Sequence, residues 1–137
     1  MLANLAAASA DRSAEYESGH CNIGPAEIAR RRMAGHVGTM ATLILLGIVL
    51  WTDAPSWARV LIFLPAAGAA AGYLQAYFRF CADYGWRGVF NFGRAGHDRA
   101  TTVADPQARR ADRRKAALIG LGSGAIGLAV ALLALLI

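Results

Sequence analysis

The last 22 residues, Ala116 to Ile137, contain no charged side chain, and they follow directly on Arg109-Arg110-Ala111-Asp112-Arg113-Arg114-Lys115. One α-helix crosses the roughly 30 Å apolar core of a bilayer with about 20 such residues. A basic cluster beside a span marks the end that stays in the cytoplasm. A chain built this way folds in a membrane.

Two further runs have the same character. Met33–Thr52 and Val60–Phe78 carry no Asp, Glu, Lys or Arg, and Arg59 and Arg79 bound the second. The pattern predicts an all-α membrane protein with transmembrane helices at about 33–52, 58–79 and 115–137. Residues 1–24 read as a polar cytoplasmic tail, and 25–137 as one three-helix membrane unit with a basic cytoplasmic loop over 80–114. The remainder is too short and polar for a soluble domain. Met1–Ala10 lacks the basic start and strong apolar core of a signal peptide, and acids follow at once.

The formal charge is +5, and its placement is more informative than its size. If all three segments span, 13 of the 14 basic residues lie on one side, Arg59 being the exception. That asymmetry predicts an N-in, C-out topology, with a cytoplasmic N-terminus and a periplasmic C-terminus in a bacterial inner membrane. Arg30, Arg31 and Arg32 before the first span, with Arg109, Arg110, Arg113, Arg114 and Lys115 before the third, read as topology signals and contacts for anionic lipid headgroups. Topology accounts for the basicity without nucleic acid.

Local signals place the helix ends. Pro25 suits the first position of a helix and Glu27 its positive end. Asp105-Pro106 is a second start, Asp as cap and Pro behind it. Trp51 and Trp57 flank the short loop around Pro55 as an aromatic belt. The second span is the weakest: Pro65 is expected to interrupt it, and Ala66–Gly72 is made of small residues. After it, Arg79–Gly93 alternates aromatic residues with Arg and Gly. This stretch reads as a helix end, a Gly turn and an interfacial segment, followed by a polar loop over 96–104.

Small residues recur at helical spacing. Gly68 and Gly72, then Gly120, Ser123, Gly124 and Gly127, form faces that let another helix approach closely. Ala34, Gly38 and Thr42 repeat the device in the first span. Such faces serve packing within the chain or against a second protein.

Catalytic constellations are absent. His36, one turn inside the first span, is the lone intramembrane ionisable residue, a candidate ligand for haem or pigment, though no second His occurs in a span. His20, Cys21, Cys81 and His97 match no zinc spacing, and no metal site is expected. The predicted reducing side disfavours a disulfide between Cys21 and Cys81. No nucleotide loop is present, and no span holds paired carboxylates or Lys for ion coupling.

Asn22-Ile23-Gly24, then Glu27-Ile28-x-Arg30, Gly35, two spans and Phe80-Cys81-x-x-Tyr84-Gly85 together resemble the YgaP-like inner-membrane domain family over residues 21–93. The resemblance implies a helical hairpin. Some members of that family are fused to rhodanese domains that handle sulfane sulfur. This chain departs from the pattern where Ala82, in place of Pro, follows Cys81, and it has no rhodanese active-site loop.

The sequence therefore points first to a non-catalytic accessory subunit of a larger bacterial membrane complex of respiratory or photosynthetic type. Its expected partners are other membrane subunits and anionic lipid, with bound lipid and pigment or haem contact as the accompanying expectations. A thiol- or sulfur-handling module using Cys21 and Cys81 is the alternative, and a small oligomeric channel the third reading.

Overall fold

The computed structural model describes residues 16–96 and 100–137. Helix α1 spans Pro25–Trp51, α2 Ser56–Val60, α3 Phe63–Phe78, α4 Ala82–Arg87 and α5 Pro106–Leu136. Two short strands, β1 at Val89–Phe90 and β2 at Thr101–Thr102, pair antiparallel. Three helical stretches are long and apolar enough to cross a membrane: Pro25–Trp51, Ser56–Phe78 and Pro106–Leu136.

α3 is the central helix. α1 packs on one of its sides and α5 on another, while α1 and α5 hardly meet. The middle span is also the least apolar, with mean hydropathy 1.4 against 1.9 and 2.3, and the most enclosed. Both properties follow from its composition. Ala66, Ala69, Ala70, Gly72 and Ala76 are buried, so neighbouring backbones come close where bulky side chains would hold them apart. The buried stripe of α5 runs Asp112, Ala116, Ile119, Ser123, Gly127, Ala131, Ala134, the three-and-four spacing of a helix lying along a partner. Outside these seams the helices are greasy. Met33, Val37, Met40, Leu43, Ile44 and Ile48 are all more than half exposed along α1, an apolar surface that water would not tolerate.

Pro65 does not interrupt the second span where the sequence suggested. The break falls just ahead of it, at Leu61–Ile62, and Pro65 sits in the first turn of α3, where a missing N–H is tolerated. α1 begins at Pro25 and runs unbroken through Arg30–Arg32. At the opposite end, Trp51 is 91% exposed and Trp57 68%. The Arg59 guanidinium there donates to the Ala134 carbonyl at 3.5 Å, near the negative end of α5.

The basic end carries a compact cap. The expected polar tail is built into it from Tyr16 onward: Asn22, Ile23 and Gly24 are buried. Ile23 bridges Asn91 in parallel, with Asn91 N–H donating to the Asn22 carbonyl at 2.9 Å and Gly24 N–H to the Asn91 carbonyl at 2.9 Å. Gly24 has to be glycine, because a Cβ would stand 2.8 Å from the Phe92 carbonyl oxygen. The segment expected to lie flat after the second span folds as α4 and β1, and the expected polar loop over 96–104 contains β2. Three helices long and apolar enough to cross a membrane thus carry a small β-ribbon at one end.

Candidate functional site

Three features lie at the basic end or start from it. The first is a buried polar cluster. Glu27, in the first turn of α1, is fully buried. Its Oε1 accepts from the Tyr84 hydroxyl at 2.9 Å and from the Gly96 N–H at 2.9 Å. Arg31, one turn further on, places Nη2 3.6 Å from Glu27 Oε2 and donates to Cys81 Sγ at 2.9 Å. The exposed Arg30 lies at 3.9 Å from Glu27 Oε1. A fully buried carboxylate is costly unless it is paired. Here a phenol, an amide and a guanidinium provide for it.

Cys81 is fully buried, and burial raises its thiol pKa despite the Arg31 charge beside it. A thiol held in this way is a poor nucleophile. Tyr84 is pushed up to about 12, first by burial and then by its hydrogen bond to Glu27. The neutral phenol is therefore the form that belongs in the cluster. Cys21 is half-buried.

The second feature is a latch. Asp112 is fully buried on α5. It accepts from the Tyr16 hydroxyl through Oδ2 and from the Gly19 N–H at 2.7 Å through Oδ1. Burial and the Asp112 carboxylate raise the Tyr16 pKa. The Tyr16 ring stacks on Phe90 at 4.7 Å. Residues 16–24 are thus fastened to the third long helix and to the ribbon.

The third is a cleft on one face of α1 and α3. At the basic end is a cavity of about 890 Å³ lined by Cys21, Ile28, Arg32, Tyr77 and Arg79 among others. Further along, a groove of about 340 Å³ is lined by Thr39, Leu43, Ala66, Ala70, Tyr73 and, from α5, Ile126 and Val130. His36 and Tyr73 stand between the two, their Nδ1 and hydroxyl 2.7 Å apart and their rings edge to face.

The sequence-derived candidates divide accordingly. Gly72 and Gly127 sit at close approaches: a Cβ on Gly72 would come 2.5 Å from Gly35 N, and one on Gly127 2.7 Å from Ala67 Cβ. Ser123 is buried against α5's own Ile119 carbonyl. Gly68, Gly120 and Gly124 face open space. The basic face of α5 is split. Arg109 donates to the Val103 carbonyl, Arg113 lies over the Trp86 ring at 5.8 Å and Lys115 over Phe78 at 4.1 Å, while Arg110 and Arg114 are exposed. His97 lies outside the described residues. Among the described residues no three of His, Cys, Asp and Glu gather as metal ligands.

Asn91, Tyr16 and Asp112 were not singled out from sequence, and Asn22 and Glu27 only as helix-start residues and parts of the family-like motif. Asp112 did carry a signal, as a lone acid among five basic residues in Arg109–Lys115. No protein-family model, curated protein or solved structure matches the chain.

Proposed function

We propose that this chain is a non-catalytic accessory subunit of a larger assembly in a bacterial inner membrane, oriented with its basic cap in the cytoplasm. The observation that carries the reading is the unoccupied small face of α5, with a further open glycine on α3. Gly120 and Gly124 lie one turn apart on α5 and Gly68 on α3, each with nothing among the described residues within 4 Å of where a Cβ would stand. The intrachain seams use other residues, Gly72 and Gly127 among them. A second helix approaching α5 at Gly120 and Gly124 would find the close backbone contact that membrane helices associate through. The cap suits a structural role, since Glu27, Tyr84 and Arg31 engage one another and Cys81 is closed off by burial and Arg31.

Purification from native membranes in mild detergent, followed by mass spectrometry, tests this. Stoichiometric co-purification with other membrane subunits is expected, and Gly120→Leu with Gly124→Leu should release them without unfolding the chain. Migration as an isolated monomer or homodimer would rule the reading out.

A further inference from the structure

We infer that the cleft between α1 and α3 is a binding site for one anionic phospholipid, with the headgroup phosphate held by Arg32 and Arg79 and one acyl chain laid along the apolar groove. This rests on the membrane placement proposed above, but not on any partner subunit.

Charge selects the headgroup. Several of the arginines at this end are already engaged: Arg30 and Arg31 with Glu27, Arg87 with Asp83, Arg109 with a backbone carbonyl, Arg113 with Trp86. Arg32 and Arg79 form no ion pair among the described residues, and they line one cavity that no carboxylate lines. Two guanidinium groups facing one hollow repel each other until an anion joins them, and guanidinium matches a phosphate in shape as well as charge. Arg79 ends α3 in the left-handed conformation, φ 52°. It stands where a span beginning beyond the bilayer core would meet the headgroup layer.

The groove selects the chain. Arg32, His36, Thr39 and Leu43 are successive positions on one stripe of α1, as are Tyr77, Tyr73, Ala70 and Ala66 on α3. Cavity and groove therefore lie in line. The only hydroxyls along α1 in the groove are already used: Thr39 donates to the Gly35 carbonyl at 2.9 Å and Thr42 to the Gly38 carbonyl at 2.8 Å. What remains is an alanine floor walled by Leu43 on one side and Ile126 and Val130 on the other. Such a surface gives water no partners and fits a hydrocarbon chain. The hydrogen-bonded His36–Tyr73 pair closes the boundary between charged and apolar parts, where the glycerol esters of a lipid would lie.

The test uses the full chain in bilayer nanodiscs of phosphatidylcholine containing phosphatidylglycerol of the same acyl chains, with native mass spectrometry of the lipids retained on release. One phosphatidylglycerol should be retained in preference to phosphatidylcholine. Arg32→Gln with Arg79→Asn, which keeps a residue suited to the left-handed turn, should weaken retention roughly ten- to thirtyfold. Leu43→Trp, at a position exposed away from the helix seams, should reduce it by obstructing the groove. Arg110→Gln with Arg114→Gln, on the exposed side of α5, should leave it within about twofold. Equal retention of the two lipids, or equal loss in the α5 control, would overturn the site while leaving the membrane placement intact. Failure of the chain to enter the bilayer at all would overturn the placement and the site together.

Discussion

The carboxamide of Asn22 engages both backbone polar groups of Cys81: the Cys81 N–H donates to Oδ1 at 2.7 Å, and Nδ2 donates to the Cys81 carbonyl at 3.1 Å. The pairing imitates one rung of a sheet, with a side chain in place of the second strand. It joins the segment before the first long helix to the segment after the second, and all four atoms are buried. Asn22→Ala would leave a buried donor and acceptor without partners, at a cost of about 2–4 kcal/mol. The expected result is exposure of Cys81. In a Cys21→Ser background, maleimide labelling of Cys81 should be slow in the parent and accelerate in the variant. Unchanged labelling would mean that Asn22 does not hold the cap closed.

The Tyr84–Glu27 pair makes the cap sensitive to alkali. The Tyr84 pKa is raised from 10.0 to about 12 in the folded protein, so the native state holds this proton more tightly than the unfolded chain does. Stability from this group is fully present below pH 10 and is lost as pH rises toward 12. Cys81, also raised, acts in the same direction from about pH 9. Amide hydrogen exchange at Gly96, whose N–H reports on Glu27, should be steady relative to an unstructured amide up to about pH 9 and lose protection above it. Tyr84→Phe should remove most of the steep part of that loss, while costing roughly 1–3 kcal/mol at neutral pH by depriving a buried carboxylate of a donor.

The two classes of glycine predict opposite outcomes from the same substitution. Gly72→Leu would drive a side chain into the α1 backbone at Gly35 and Arg31. Overpacking of this kind costs about 1–3 kcal/mol or more when backbone is what must move. At Gly120 a Cβ has nothing within 4 Å among the described residues, so Gly120→Leu, by helix propensity, is expected to be neutral or slightly stabilising. Thermal unfolding in detergent should fall for the first and hold for the second. Equal destabilisation by both would mean that α5 packs differently from the arrangement described.

How much of this was legible in the sequence varied with the length scale of the signal. Uncharged runs of about 20 residues announce membrane-length helices through transfer energy alone, and Pro25 and Asp105-Pro106 set the starts of α1 and α5 through local sterics and capping. Gly72 could be marked as a packing residue, but nothing in the run Gly68-Ala-Ala-Ala-Gly72 says that Gly68 faces away while Gly72 meets Gly35, since that depends on how the neighbouring helices sit. The cap was illegible for a related reason. Its contacts join Asn22 to Cys81, Glu27 to Tyr84 and Tyr16 to Asp112, pairs more than fifty residues apart. The sequence could mark some of these residues singly, in a motif or at a helix start, but nothing local says which distant partner each one meets. Pro65 was misplaced as a breaker because its effect depends on where the helix begins, and α3 begins only two residues earlier.

Asp112 is the anchor on which the N-terminal segment depends. Its carboxylate is fully buried and takes the Tyr16 hydroxyl on one oxygen and the Gly19 N–H on the other, while the Gly19 turn, at φ 71°, brings the chain against Ala111. Asp112→Ala removes both acceptors and leaves the Gly19 amide to find water. Two partly buried hydrogen bonds to a carboxylate are worth about 3 kcal/mol or more together, and the loss should fall on residues 16–24 before the long helices, which have their own seams. Limited proteolysis should cut at or near Tyr16–His20 in Asp112→Ala and spare the parent, with the helical signal in circular dichroism nearly unchanged. Asp112→Asn separates charge from geometry. The carboxamide still offers one oxygen to Gly19, so cleavage intermediate between parent and alanine variant is expected. Cleavage equal to the parent in both variants would show that the stack of Tyr16 on Phe90 holds the segment without Asp112.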